Sequence, residues 1–331
     1  MHKPIIAVPM GDAAGVGPEI VIKALGDPQL RDSRVLVIGD MKIMALVREI
    51  LGAAIVFQPV AHVSEAVFSP GEIPVLDMDR IDSAQFRFGE ISAMCGSAAY
   101  AYIEKSIELA MNRQVDAIAT PPIHKGALRL GGADYIGHTE IFGELTHTDD
   151  PLTMFQVHDL RVFFLSRHTS LRQACDLVKK ERIVDYGRRC AEALRKLGVG
   201  DGTMAIAGLN PHSGESGLFG DEEEREIGPA IDILRGEGYA VEGPIGADSV
   251  FHLAKTGKYN SVLSLYHDQG HIACKTLDFE RTIAITCGMP ILRTSVDHGT
   301  AFDLAGRGIA SSVSMVEAIA AAERYAPVFQ H

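Results

Sequence analysis

Short apolar runs alternate with amphipathic stretches along the whole chain. The runs Ile5–Pro9, Arg34–Ile38, Ala117–Thr120, Val162–Leu165, Met204–Ala207, Ser261–Leu265 and Thr282–Thr286 are each four or five residues long and rich in Val, Ile, Leu or Phe. That is the signature of a strand covered on both faces. Helical patterns lie between them. In Ala98–Asn112, Ile103, Ile107, Ala110 and Met111 share one stripe while Glu104, Lys105 and Glu108 face away. Alternation of this kind predicts an α/β fold, a mostly parallel sheet with helices on both faces. The segment Gly208–Glu226 breaks the pattern and reads as a long loop entering a helix, with the acidic run Asp221–Glu224 in that helix's first turn.

Length adds one constraint: 331 residues exceed what a single hydrophobic core usually supports, so two domains are expected. No apolar stretch is long enough to span a bilayer, and the opening residues lack a signal-peptide core, so the reading is of a protein that stays in the cytoplasm. Five scattered cysteines with no CxxC pair fit that reducing compartment and argue against a disulfide framework. The net charge of −12 argues against a general nucleic-acid binder. It leaves an anionic small molecule open, because local Arg, Lys and helix termini decide that.

Three stretches offer chemistry. The first strand runs into Met10-Gly11-Asp12-Ala13-Ala14-Gly15-Val16-Gly17-Pro18. Its glycines permit a tight turn, either to bring backbone close to a ligand or simply to connect strand to helix, and the spacing is not that of a Rossmann fingerprint. Second, His168, His212 and His267 each follow an apolar run by a few residues. If those runs are parallel strands, the three imidazoles emerge at carboxyl ends, where α/β proteins build their sites, and three imidazoles are a common divalent-metal set. Asp268 and Asp248 are candidates to orient such ligands or to act in catalysis. Third, Arg293–Gly308 is dense in Gly, His, Asp, Thr and Ser and reads as a polar loop whose backbone suits phosphate or ribose, with Arg293 as an anion clamp. His138 and Thr139 at a helix start, and Lys275 eight residues beyond His267, are further candidates for anion binding or proton transfer.

The blocks MGDAAGVGPE, ATPPIHKGAL, GHTE, SRHTSLR, GLNPHSGE, YHDQGH and RTSVDHGTAFDLAG together resemble the 4-hydroxythreonine-4-phosphate dehydrogenase family over essentially the whole chain. The resemblance implies an isopropylmalate-dehydrogenase-like fold of two α/β domains: residues 1–124 plus 273–331 binding nucleotide, and 125–272 carrying substrate, metal and dimer contacts. It implies a homodimer with the active site at the interface, and an NAD-dependent (or NADP-dependent) oxidative decarboxylation of a phosphorylated small molecule. His168, His212 and His267 would hold one divalent ion (Zn, Mg, Mn or Co), with one imidazole coming from the neighbouring subunit. His138, Thr139, Lys275 and Arg293 would contact substrate. Gly11, Asp12, Gly15, His298, Gly299, Thr300 and Asp303 would line the cofactor. In one place the chain departs from the family: a substrate-contacting Asn aligns with Ala284. With HDQGHIACK, this resembles the paralogous branch acting on D-threonate or D-erythronate 4-phosphate. A phosphate acyltransferase of similar architecture is the reading from outside the class.

Overall fold

A computed structural model describes residues 3–329. The described strands are β1 (Ile5–Pro9), β2 (Arg34–Gly39), β3 (Val56–Val60), β4 (Glu72–Asp77), β5 (Ala117–Thr120), β6 (Leu152–Val157), β7 (Leu160–Phe164), β8 (Met204–Ala207), β9 (Val241–Ile245), β10 (Ser261–Ser264), β11 (Ile283–Cys287) and β12 (Arg293–Val296). All seven apolar runs are strands, with ends displaced by no more than two residues. The chain divides into two compact units, 3–151 with 289–327 and 152–288 with 328–329.

In the first unit the strand order is β3-β4-β2-β1-β5-β12, and each of its pairings is parallel. Residues of β1 and β2 are buried almost throughout, as expected where helices cover both faces. Helix Ala93–Met111 covers part of this sheet. Ile103, Ile107 and Ala110 face the core as the stripe predicts, whereas Met111 at the helix end is exposed. The second unit is mixed, in the order β11-β6-β7-β10-β8-β9. There β6 pairs antiparallel with both β11 and β7, while β7, β10, β8 and β9 run parallel. Phe155, Val162, Phe164, Val250, Val262 and Cys274 form its apolar centre.

The divisions fall later along the chain than the sequence reading put them, for two physical reasons. Gly96 lets helix Ala93–Met111 come against the backbone of helix Lys125–Leu130; a Cβ there would lie 1.8 Å from the Ala127 carbonyl oxygen. Residues 125–151 therefore pack with the first unit. β11 in turn pairs with β6 from Ile283–Gln156 to Cys287–Leu152, which holds it in the second unit.

Candidate active site

Because β7, β10 and β8 are adjacent and parallel, their carboxyl ends release His168, His267 and His212 on one edge of the second unit, as the strand reading predicts. The side chains then divide. His168 and His267 face each other with ring centroids 6.1 Å apart, at a hollow of about 560 Å³ also lined by Arg167, Ser170 and Tyr266. The Nδ1 of His267 donates to Asp268 Oδ1 at 2.7 Å. That bond leaves Nε2 with its lone pair, the arrangement a carboxylate imposes on a metal-ligating imidazole. His212 is elsewhere, largely exposed, with Nδ1 3.3 Å from Glu215 Oε2 and its ring edge-on to Phe219. Among the described residues no group of three or more His, Cys, Asp or Glu side chains is placed to hold a metal ion. The donor chemistry of the His168–His267 pair fits a divalent metal, and a third donor must come from outside this set.

Helix His267–Leu277 carries a further pair of polar groups on the same face, one and two turns along. His271, which the sequence reading passes over, stacks on His267 at 3.6 Å and meets the edges of Phe155 and Phe164. Its Nδ1 donates to the His267 carbonyl at 2.9 Å, and burial holds it neutral, its pKa lowered to about 4. The i,i+4 spacing from His267 was the signal available for it. Lys275 follows, its ammonium 5.1 Å from the Phe279 ring centre. Asp248 is exposed in the first turn of helix Ala247–Lys255, where a carboxylate suits the helix start.

The candidate anion contacts of the first unit gather on β12 and the helix His138–Leu145. Arg293–Gly308 is not a loop throughout, because Arg293–Val296 is a buried strand. Its polar side chains are satisfied inside: Thr294 Oγ1 donates to the Ala318 carbonyl at 2.8 Å, and Ser295 Oγ to that of Val296 at 2.9 Å. Arg293 is only 4% exposed. Its Nε and Nη2 donate to Thr120 Oγ1 at 3.1 and 2.9 Å, and its guanidinium lies over the Phe142 ring. Burial works against its positive charge and lowers its pKa, with Glu140 opposing. An anion set against it would relieve that penalty. Thr120, at the carboxyl end of β5, was marked only by that position. His138 opens the helix as expected, followed by Thr139. The Nε2 of His138 is shut off from solvent with no hydrogen-bond partner among the described residues, and burial together with Arg293 holds the ring neutral.

The glycine turn and the loop after β12 are joined. Val16 N–H donates to the Thr300 carbonyl at 2.9 Å, and a Cβ on Gly15 would lie 2.8 Å from that oxygen. Gly11 (φ +75°) is likewise crowded by the Pro122 carbonyl. These glycines are filled by protein backbone, so they support the loop from behind instead of forming an open cradle. Farther along, buried Glu19 accepts from Gly308 and Ala310 N–H, and Lys23 donates to both of their carbonyls. His298 and Gly299 before the Thr300 anchor, and Asp303 after it, lie toward the surface, with His298 Nδ1 donating to the Gly299 carbonyl. Asp12 is fully buried; its Oδ1 accepts from Ala14 N–H at 3.0 Å, but Oδ2 has no hydrogen-bond partner among the described residues. Burial raises its pKa to about 6, against lowering by the Ala14 bond and by His124. His124, not anticipated from the sequence, stacks on Phe302 at 4.8 Å. An anchored loop with an orphaned carboxylate oxygen behind it fits a nucleotide better than the turn alone does.

Residues 31–322 match the family described as pyridoxal phosphate biosynthetic protein PdxA. A Clostridium botulinum (strain Langeland) protein named "Putative D-threonate 4-phosphate dehydrogenase" is 59% identical over 330 residues, covering 99% of each chain. A Fusobacterium nucleatum protein of the same name is 56% identical over 327 residues, 98% of each. The solved structure of a 4-hydroxythreonine-4-phosphate dehydrogenase from Klebsiella pneumoniae matches with a TM-score of 0.91 at 41% identity, covering 98% of each chain. That likeness shows the isopropylmalate-dehydrogenase-like fold.

Proposed function

The chain belongs to the PdxA family, and from that premise we propose that it is a metal-dependent NAD dehydrogenase that oxidises and decarboxylates D-threonate or D-erythronate 4-phosphate to dihydroxyacetone phosphate and CO2. The observation that carries the reading is the facing pair His168 and His267, with Asp268 on His267 Nδ1. It supplies two-thirds of the expected metal set, and a second copy of the chain supplies His212 as the third donor. The loop bearing His212 also exposes Leu218 and Phe219, apolar surface suited to burial in a homodimer. The reading includes no nucleic-acid partner. It places the enzyme in the cytoplasm, in keeping with five cysteines that form no disulfide; no helix among the described residues is long and apolar enough to cross a membrane.

When bound, NAD (or NADP) provides the hydride acceptor, and the divalent ion provides a Lewis acid that acidifies the hydroxyl and steadies the charge that develops as CO2 leaves. The chain's own residues do the rest. Arg293, held by Thr120, draws in the substrate's anionic end, and Thr139 and the neutral His138 Nε2 hydrogen-bond to it. Asp12 and the loop residues His298, Gly299, Thr300 and Asp303 hold the nucleotide, with Gly11 and Gly15 packed behind that loop. Lys275 takes the proton of the C3 hydroxyl as that carbon is oxidised. After the C1–C2 bond breaks, it returns a proton to C2, so no net proton is released. Asp268 positions His267, and Asp248 contributes negative charge near the same strand ends.

The substrate branch rests on the relatives at 56–59% identity and on Ala284. That residue packs against the apolar cluster of the second unit and has no amide to offer. The Klebsiella structure's name favours a second substrate, 4-hydroxy-L-threonine 4-phosphate. NADH formation at 340 nm with NAD and a divalent metal, run on all three substrates, separates the readings. Faster turnover of threonate or erythronate phosphate is expected, with Ala284→Asn moving preference toward the amino substrate. A native preference for the amino substrate would overturn the assignment, and absence of NADH with every substrate would sink the dehydrogenase itself.

A further inference from the structure

We propose that Glu223 is a positioning residue, whose buried carboxylate fixes the loop 208–217 so that His212 is presented to a metal. The inference rests on the reading of His212 as a metal donor. His212 itself is 69% exposed at its side chain, so packing around the ring does not hold it. What holds it is at the base of the loop. Glu223 is 4% exposed. Its Oε1 accepts from the backbone N–H groups of Leu209 and Asn210, both at 2.7 Å, and its Oε2 from Asn210 Nδ2 at 2.8 Å. Asn210 Nδ2 also donates to Glu222 Oε2 at 2.7 Å, and the Asn210 carbonyl accepts from Ser213 N–H. One carboxylate thus satisfies consecutive backbone donors that the end of β8 would otherwise leave unpaired.

The backbone directly beyond this clamp is strained. His212, Ser213, Gly214, Glu215, Ser216 and Gly217 have φ of +52°, +53°, +81°, +42°, +55° and +84°. Four of these six carry a Cβ, and each such residue is sterically penalised in the left-handed region. A run like this persists only where its surroundings over-determine it, and such runs cluster at functional sites. The loop also lies against its clamp: a Cβ on Gly214 would sit 2.8 Å from Glu223 Oε2. The acidic run Asp221–Glu224 therefore does more than start a helix. Asp221 pairs with Arg225 at the surface, while Glu223 turns inward.

Co2+ binding by the full-length chain, followed by its visible absorption and by equilibrium dialysis, tests this. Glu223→Ala and Glu223→Gln are compared with His212→Ala, alongside hydrogen exchange of residues 208–217 and circular dichroism. Removing an outer support of a metal ligand typically weakens affinity by about tenfold to a hundredfold. Glu223→Ala should do so and speed exchange in 208–217 alone. Glu223→Gln keeps one acceptor oxygen, and should lose affinity severalfold. If His212→Ala weakens Co2+ binding while both Glu223 variants bind and exchange like the native chain, the positioning role is wrong and the metal reading stands. If His212→Ala binds Co2+ as the native chain does, the metal reading fails and takes this inference with it. Should Glu223→Ala not fold, Glu223→Gln decides by the same criteria; if neither folds, the carboxylate serves the whole unit and the inference is overturned.

Discussion

Replacing Asp12 by Asn should make the protein more stable, but only where the native carboxyl is ionised. Asp12 is fully buried at the glycine turn, and burial raises its pKa from 3.8 to about 6 despite the Ala14 N–H bond and the neighbouring His124. Well below pH 3.8 the carboxyl is protonated in folded and unfolded chains alike and costs nothing. Between 4 and 6 the unfolded chain ionises first, so the folded state binds more protons and loses stability as pH rises. Above 6 both are ionised and the full penalty stands, about 3 kcal/mol for the gap between 3.8 and about 6. Asn keeps an oxygen for Ala14 N–H and carries no charge. The variant should therefore gain about 3 kcal/mol at pH 8 and about half of that at pH 5. With an unfolding entropy of about 2.1 cal/mol/K per residue over the whole chain, 3 kcal/mol corresponds to about 4 °C in Tm. Thermal scans of both proteins at pH 5, 6 and 8 measure it directly. Equal midpoints at pH 8, or a gain of the same size at pH 5 and pH 8, would refute the argument from buried charge. If Asp12 also touches the cofactor as proposed, the stabilised variant should turn over more slowly, the usual exchange at a functional carboxylate.

Two further outcomes follow from contacts in the first unit. Arg293→Lys keeps a charge but loses the planar fork on Thr120. Steady-state kinetics should show kcat/KM lower by about a hundredfold, mostly through KM, since a buried charge paired with a ligand is worth 2–5 kcal/mol; an unchanged KM would remove Arg293 from substrate binding. Gly96→Ala places a methyl 1.8 Å from the Ala127 carbonyl. It must push two helices apart and should destabilise by about 3 kcal/mol, the upper end for overpacking, visible as a lower midpoint in urea; a native midpoint would show that the helix pair yields.

Three of the five strands missing from the sequence reading share a cause. β3 and β4 contain Pro59 and Pro74, and β9 contains Pro244, each of which argues against a strand locally. β3 and β9 end their strand orders, where a missing N–H does least harm, but edge position is a tertiary property. β12, RTSV, was hidden by its polarity, because its hydroxyls are satisfied by residues such as Ala318 that lie far along the chain. Candidate site residues divide in the same way. That His168, His212 and His267 stand at strand ends followed from the apolar runs before them. That only His168 and His267 face each other did not, because the route of 208–217 depends on Glu223 and a run of positive φ. The acidic run read correctly as a helix start for Asp221 and incompletely for Glu223.

The α/β alternation, the strand ends that bear histidine, the turn at Gly11–Gly17 and, through the ordered blocks, the family are all legible along the chain. Those signals are local: periodicity, turn chemistry and short motifs each act over a few residues. It took the folded chain to bury Arg293 on Thr120, to fill the glycine turn with Thr300, to leave Asp12 Oδ2 without a partner among the described residues, and to set His212 apart from the other two imidazoles. Burial and pairing of a polar group depend on atoms many residues away, and no pattern along the chain carries that information.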